Sequence, residues 1–406
     1  MLVAGLSLLL VGVGLIGTLV GVRATLEHFS SLTIGLIMSG YYLGYVLGTF
    51  VVPVFIRRVG HIRTFSALAA VTCASTLLFS LIIDPLAWGL LRVLSGIGVV
   101  GLYMVVESWL NEQVEPAWRG RVFGLYTAST LGALAGGQFL LMAEDPATAA
   151  PFAIAAMFIA LGLVPIALTR VHEPVPVAVP TSNLAELYRI SPMAFQGVLI
   201  SGFVGSAFWG MGAVMGQRIG LESSGIALFL ASTIAGGALL QWPVGHLSDR
   251  LDRRLVLVIV SFACAAVAFA AQWLLTMGTL SMVAVAFVYG ALMFPLYGLS
   301  VAHANDQLQP EQMLDATRGL LLVYGFGAIA GPALAGTVMS LIGPMGLPIY
   351  SAVFLVMLGG FGLYRMTRRA APPPEEQGEF VAMVRTTQAA LEMHPQVEAE
   401  GELVDE

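Results

Sequence analysis

Few residues in this chain carry side chains able to do chemistry, and each stands at a telling place. Arg92 lies inside the apolar run 86–107. A guanidinium there costs several kcal/mol unless paired or hydrated, so it should face a cavity, where it could draw an anionic or polarised solute or take part in coupling. Snorkelling to the nearer end of its run is the plainer alternative. Glu107 closes the same run, one turn before Asn111 on a shared helical face. Its carboxylate could load and release a proton, or close a gate against Arg119 or Arg121; an interfacial cap or salt bridge is the bland reading. The densest charge is Gly245-His246-Leu247-Ser248-Asp249-Arg250-Leu251-Asp252-Arg253-Arg254, set between two long apolar runs. Such a knot cannot lie in lipid and must be a short loop joining two membrane helices. A partial twin spans Pro53 to Ile62, with the core Arg57-Arg58-Val59-Gly60-His61.

Polar and aromatic residues within the apolar runs form a second group: Tyr41, Tyr42, Tyr45, Tyr126, Gln138, Gln196, Trp209, Gln241, Trp242, Tyr297 and Tyr324. Some should line a substrate pocket, since such sites are mostly apolar with a few polar groups. Each, taken singly, fits packing or interface anchoring equally well. His303 is expected near one membrane surface, in solvent. Cys73 and Cys264 lie mid-run, where a thiol behaves as a small hydrophobe. No nucleophile, metal-ligand set or acid–base pair is evident, so catalysis, a metal and a cofactor are not expected. No phosphate-binding loop of the G-x-x-x-x-G-K-[ST] type is present.

The elements that must carry these residues follow from composition. The 406 residues are 58% hydrophobic and 10% charged, with mean hydropathy +0.87. That is the balance of an integral membrane protein, not of a water-soluble domain. A spanning helix needs roughly 20 mostly apolar residues. About twelve such runs can be read, at 2–22, 33–55, 64–83, 86–107, 121–141, 150–169, 193–215, 225–244, 255–275, 279–302, 316–341 and 346–365. The first lacks a charged leader and a clear cleavage site, so it reads as a retained helix.

The chain also repeats itself. Arg23-x-x-Leu26-Glu27 matches Arg218-x-x-Leu221-Glu222. Leu102-Tyr103…Asn111-Glu112-Gln113 matches Leu296-Tyr297…Asn305-Asp306-Gln307, and Gly132-Ala133-Leu134-Ala135-Gly136 matches Gly327-Ala328-Ile329-Ala330-Gly331. The expected organisation is a six-helix bundle over 1–169, a linker over 170–192, a second six-helix bundle over 193–367 and a tail over 368–406. Prolines rule out a continuous helix in the linker, though Leu184 to Arg189 could form an amphipathic turn. The tail is expected to be disordered, with Phe380 to Leu391 able to form a short helix. The Gly132/Gly136/Gly137 and Gly327/Gly331/Gly336 stripes should permit close helix packing.

All 18 basic residues are arginine. Most fall on one side of this topology, Arg23 and Arg218 on the other. The asymmetry places both termini in the cytoplasm. The net charge of -6 offers nothing to nucleic acid.

The Gly245–Arg254 loop resembles the signature G-x-L-x-D-R-x-[GD]-R-R of the major facilitator superfamily. Its twin departs from it, with Pro53 where Gly is usual and Arg57 where Asp is usual. Arg92-Val-Leu-Ser-Gly96-Ile-Gly98 resembles the R-x-x-x-G-x-G of proton-coupled members. The Glu107–Glu112 stretch, with Arg23–Glu27 and Ile56–Arg63, looks like the YcaD-like branch of bacterial transporters. The resemblance implies an all-α integral membrane protein of two pseudo-symmetric six-helix bundles. Helices 1, 4, 7 and 10 would line the cavity, and helices 3, 6, 9 and 12 would face lipid. It implies a gate built from Arg57, Arg58, Glu112, Gly245, Asp249, Arg250 and Arg253, with Glu112 or Glu115 supplying the acid that Arg57 displaces. Gly331-Pro332 stands in helix 11, whereas antiporters carry Gly-Pro in helix 5, which speaks against a drug antiporter. The activity implied is alternating-access secondary transport of a small neutral, amphipathic or anionic solute across the inner membrane, proton-coupled and monomeric. The alternative is a transporter-like sensor or assembly factor that binds a ligand or partner without moving it.

Overall fold

A computed structural model describes residues 1–115, 118–168 and 183–368, and of the tail Gln377, Gly378, Phe380 and Thr387. Most of the linker and tail expected from sequence lies outside the described residues. Everything described is helix or short connection. The helices are α1 (Leu2–Leu26), α2 (Ser31–Val59), α3 (His61–Leu81), α4 (Pro85–Gln113), α5 (Arg119–Phe139), α6 (Ala150–Ala167), α7 (Leu184–Ile190), α8 (Pro192–Arg218), α9 (Ser223–Arg250), α10 (Arg253–Leu274), α11 (Thr279–Met293), α12 (Pro295–Asn305), α13 (Pro310–Ile342) and α14 (Gly346–Met366). Among the described residues, eleven helical stretches are long and apolar enough to cross a membrane, α11 and α12 counting as the one span Thr279–Asn305. The remaining expected run, 121–141, is helical as α5 but less apolar.

Sequence explains the element ends. Asp84 caps α4 by accepting from the Ala87 N–H at 2.8 Å, with Pro85 in the first turn, where its missing N–H costs nothing. Asp252 caps α10 through the Arg254 N–H, and Asn183 caps the short α7 through Ala185 and Glu186. The expected amphipathic turn at Leu184 to Arg189 is this α7. The expected tenth run, 279–302, is broken between α11 and α12, because Pro295 has no N–H to give the ladder.

The described residues group into two compact units. One comprises Met1–His28, Gly40–Thr181 and Val384–Glu406, the other Phe29–Ser39 and Ser182–Met383. In the first unit α2 crosses α4 at two glycines. A Cβ on Gly44 would overlap the Val93 carbonyl oxygen, and one on Gly96 the Tyr41 carbonyl oxygen. In the second unit α9 crosses α11 the same way, with Gly236 against the Phe287 carbonyl and Gly290 against the Thr233 carbonyl. The four pairs stand at equivalent places in the two repeats, so the internal duplication extends to backbone contacts. Small residues at such crossings are how membrane helices approach closely.

The expected stripes need one correction. Gly137, Gly327, Gly331 and Gly336 each meet a neighbouring backbone, but a Cβ on Gly132 or Gly136 would meet nothing within 4 Å. Those two glycines face outward from the crossing, so the repeat they share with Gly327 and Gly331 does not report a shared contact.

Candidate functional site

In the first unit, α4 holds Arg92 buried, with 6% of its surface exposed. Its guanidinium carbon lies 5.0 Å from the centre of the Tyr41 ring. Tyr41 in turn packs against Tyr42 and Tyr45, with centroids 5.3 and 5.9 Å away. The close α2–α4 crossing at Gly96 brings the tyrosine turn of α2 onto Arg92. An aromatic face offsets part of the cost of a buried cation, about 2 kcal/mol when desolvated. The arrangement is an aromatic and cationic patch, suited to a ring or an anionic group.

Fifteen residues on, Glu107 is fully buried. Its carboxylate accepts from the Tyr126 hydroxyl of α5 and from the Thr387 hydroxyl of the tail. Two hydroxyl groups thus line the Glu107 carboxylate.

In the second unit, the α9–α10 loop and the end of α12 build a charge cluster. Arg253, 1% exposed, donates from Nη2 to Asp249 Oδ1 at 2.7 Å and from Nη1 to the two Asp306 oxygens at 2.9 and 3.1 Å. Arg254 pairs with Asp252 at 2.9 Å. Burial pushes the Asp306 carboxyl up to about 6, with Arg253 pulling the other way. Burial also raises Asp252, but its side-chain and backbone hydrogen bonds from Arg254 outweigh that and hold it below its ordinary value. Arg250 points to solvent. Asp306 was not singled out from sequence, although the Asn305-Asp306-Gln307 repeat of Asn111-Glu112-Gln113 carried the signal. Among the described residues, the twin loop of the first unit has no such cluster. Arg57, Arg58, Glu112 and Glu115 are all exposed, and among the described residues the two arginines form no ion pair.

The other expected residues separate by environment. Gln138 accepts from Thr18 and donates to the Gly14 and Leu134 carbonyls, both at 3.1 Å, which ties α5 to α1. Tyr297 sits in a packed cluster with Ala194, Val198, Val301 and Leu320, its ring 5.5 Å from Tyr324. Trp209 is half-buried, edge-on to Phe208 and Phe294. Gln196 is half-buried on α8, and Gln241 is buried on α9. Trp242 is 65% exposed and stacked on His246. His303, expected in solvent, is buried instead, its Nε2 3.0 Å from the Gln307 amide nitrogen, which also donates to Ser191 Oγ at the start of α8. Among the described residues no group of three or more His, Cys, Asp or Glu could hold a metal ion.

Comparison with known proteins bears on the family and the fold. The sequence model of the Major Facilitator Superfamily matches residues 2–313. The chain is similar to the "Uncharacterized MFS-type transporter YcaD" of Escherichia fergusonii, 26% identical over 343 residues, covering 84% of this chain and 88% of that protein. A relative from Enterobacter sp. (strain 638), also described as an uncharacterized MFS-type transporter, is 26% identical over 351 residues, 84% and 88% of the two chains. Among solved structures, the nucleoside transporter NupG matches with a TM-score of 0.77 at 14% identity, covering 91% of this chain and 98% of that one. A bacterial homologue of the human lysosomal transporter Spinster, inward-facing and occupied, matches at 0.70 and 17%, covering 93% and 97%. At such identities the structural matches speak for the fold.

Proposed function

The chain belongs to the major facilitator superfamily, and from that premise we propose a proton-coupled secondary transporter working by alternating access across the bacterial inner membrane. That it is a multi-pass membrane transporter of a small molecule, and not an enzyme, rests on the family and its relatives. Its cargo in this reading is a neutral, amphipathic or anionic solute. The observation that carries the reading is the buried Arg92 guanidinium on the Tyr41 ring. A buried cation beside aromatic faces favours an aromatic or anionic group and repels a polycation. Both termini lie in the cytoplasm in this proposal, on the arginine asymmetry. The working unit is a monomer, and nucleic acid is not a partner.

Arg92, Tyr41 and Tyr45 are the residues proposed to meet the solute. Glu107 is proposed as the proton-carrying group, because its hydroxyl partners can donate to the charged form and be released by the neutral one. Gln196, Trp209 and Gln241 are proposed to line the path in the second unit. Gln138 and Tyr297 serve packing in this proposal, since their surroundings already engage them. The gate role stays with Gly245, Asp249, Arg250 and Arg253, whereas Arg57, Arg58 and Glu112 act through topology.

Thermal-shift screening of the purified protein tests the reading. The panel holds sugars, organic acids, amino acids, nucleosides and amphipathic drugs, at acidic and neutral pH. A ligand of the folded state raises the melting temperature by mass action. Arg92→Ala and Arg92→Lys should each remain folded and weaken the hit at least tenfold, about 1.4 kcal/mol. An unchanged affinity in both variants removes Arg92 from the site. In vesicles, uptake of the hit should stop when a protonophore collapses the pH gradient; uptake that continues overturns proton coupling.

A further inference from the structure

The C-terminal segment carries an observation that the transport reading leaves unused. Phe380 follows a stretch rich in proline and glutamate, yet only 8% of it is exposed. Its ring occupies a seat formed by two glycines. A Cβ on Gly245 of α9 would overlap the ring, and one on Gly298 of α12 would stand 2.9 Å from its edge. Any side chain at either position would fill the space that Phe380 takes.

The polar contacts are as specific as the apolar one. The Phe380 N–H donates to Asp249 Oδ1 at 2.9 Å, and the Gly378 N–H to Asp306 Oδ1 at 3.2 Å. Arg253 Nη2 donates to the Gly378 carbonyl at 2.7 Å. All three side chains of the charge cluster therefore read peptide backbone, at alternate residues of the segment. Turning the Gln377 carboxamide lets its nitrogen donate to the Ser248 and Leu251 carbonyls, both at 3.2 Å. Two carboxylates, one guanidinium and a two-glycine pocket on three helices recognise an extended peptide with one aromatic anchor.

We propose that the cluster at Asp249, Arg253 and Asp306 is a peptide-docking seat whose occupant is this chain's own segment around Phe380, and that occupancy ties the ends of α9, α10 and α12 together. The gate loop is thereby braced from within the same chain, and release of Phe380 precedes movement of those helix ends. The bracing half rests on the transport reading above; the docking half does not. A second protein offering an aromatic peptide would compete for the same seat.

Hydrogen–deuterium exchange on the full-length protein tests both halves without a substrate. The amides of Gly378 and Phe380 should exchange at least tenfold more slowly than in an unstructured peptide, an effect on the order of one or two buried hydrogen bonds and a buried ring. Phe380→Ala should remove that protection, and Phe380→Leu should restore part of it. Wild-type amides exchanging at the unstructured rate overturn the docking. Loss of Phe380 should also speed exchange over 245–251 and 298–306. Unchanged helix ends in a variant whose tail protection is gone overturn the bracing. Neither readout depends on transport, so failure of the transport reading would show separately, in the ligand screen.

Discussion

The α2–α3 and α9–α10 loops begin from the same frame and end in different chemistry. The helix crossings beneath them are equivalent, Gly44 and Gly96 in one unit and Gly236 and Gly290 in the other. At the loops themselves, Arg57 stands where Asp249 does, and His61 where Arg253 does. Two exchanges, acid to base at Arg57 and guanidinium to imidazole at His61, remove the groups that pair in the second unit. His61 instead packs beside the Trp109 ring, with centroids 6.0 Å apart, and the arginines face solvent. The duplicated fold accommodates this divergence because both units keep the close crossings beneath the loops. The intact cluster, freed of strict symmetry, holds Gly378 and Phe380 of the tail.

Substitutions can break this contrast, beginning with the largest expected effect. Arg253→Ala leaves Asp306 and Asp249 without their cation and should cost about 3–5 kcal/mol at neutral pH. A thermal melt should show it, and the loss should shrink below pH 6 as Asp306 protonates. Arg57→Ala at the twin loop should cost about 0.5 kcal/mol or less; equal losses at both loops would erase the distinction. Next come Gly96→Ala and Gly290→Ala. Each drives a methyl into a facing carbonyl and should cost about 1–3 kcal/mol. Similar losses in the two would sharpen the claim of a shared frame, and a large loss in one alone would break it.

The pH dependence is the third handle. Asp306 is raised from its ordinary value of 3.8 to about 6. A carboxyl whose folded value is raised adds stability that is fully present below the unfolded value and is lost as pH rises through the folded one. Wild type should therefore lose up to about 3 kcal/mol relative to Asp306→Asn between about pH 4 and pH 6. A difference that stays flat across that window would put Asp306 at its ordinary value. The smallest effect belongs to Arg58→Ala and Glu112→Ala, which should leave the melt within about 0.5 kcal/mol of wild type.

Much of the architecture was legible in the chain. Long apolar runs fix spanning helices because lipid offers the backbone no other partner. Arg92 was legible as an unusual residue for the same reason. Its partner was not, since the Tyr41 face reaches it only through a helix crossing set by Gly96. Asp306 was half legible, through its repeat with Glu112. Gln138 and Tyr297 looked like pocket residues because a polar atom in an apolar run reads the same whether it meets a solute or a neighbouring helix. The tail shows the opposite case. Composition there predicts disorder, yet Phe380 is buried, because one aromatic ring and two backbone N–H groups suffice to seat a segment that has no core of its own.

The sequence by itself determined the membrane class, the helical elements, the duplication and the family, since each depends on periodicity, hydropathy or local spacing along the chain. Only the tertiary structure decided which charges pair, which glycines touch and where Phe380 rests. Most of those outcomes depend on contacts between residues far apart in the chain, and helix crossings, not spacing, set such distances.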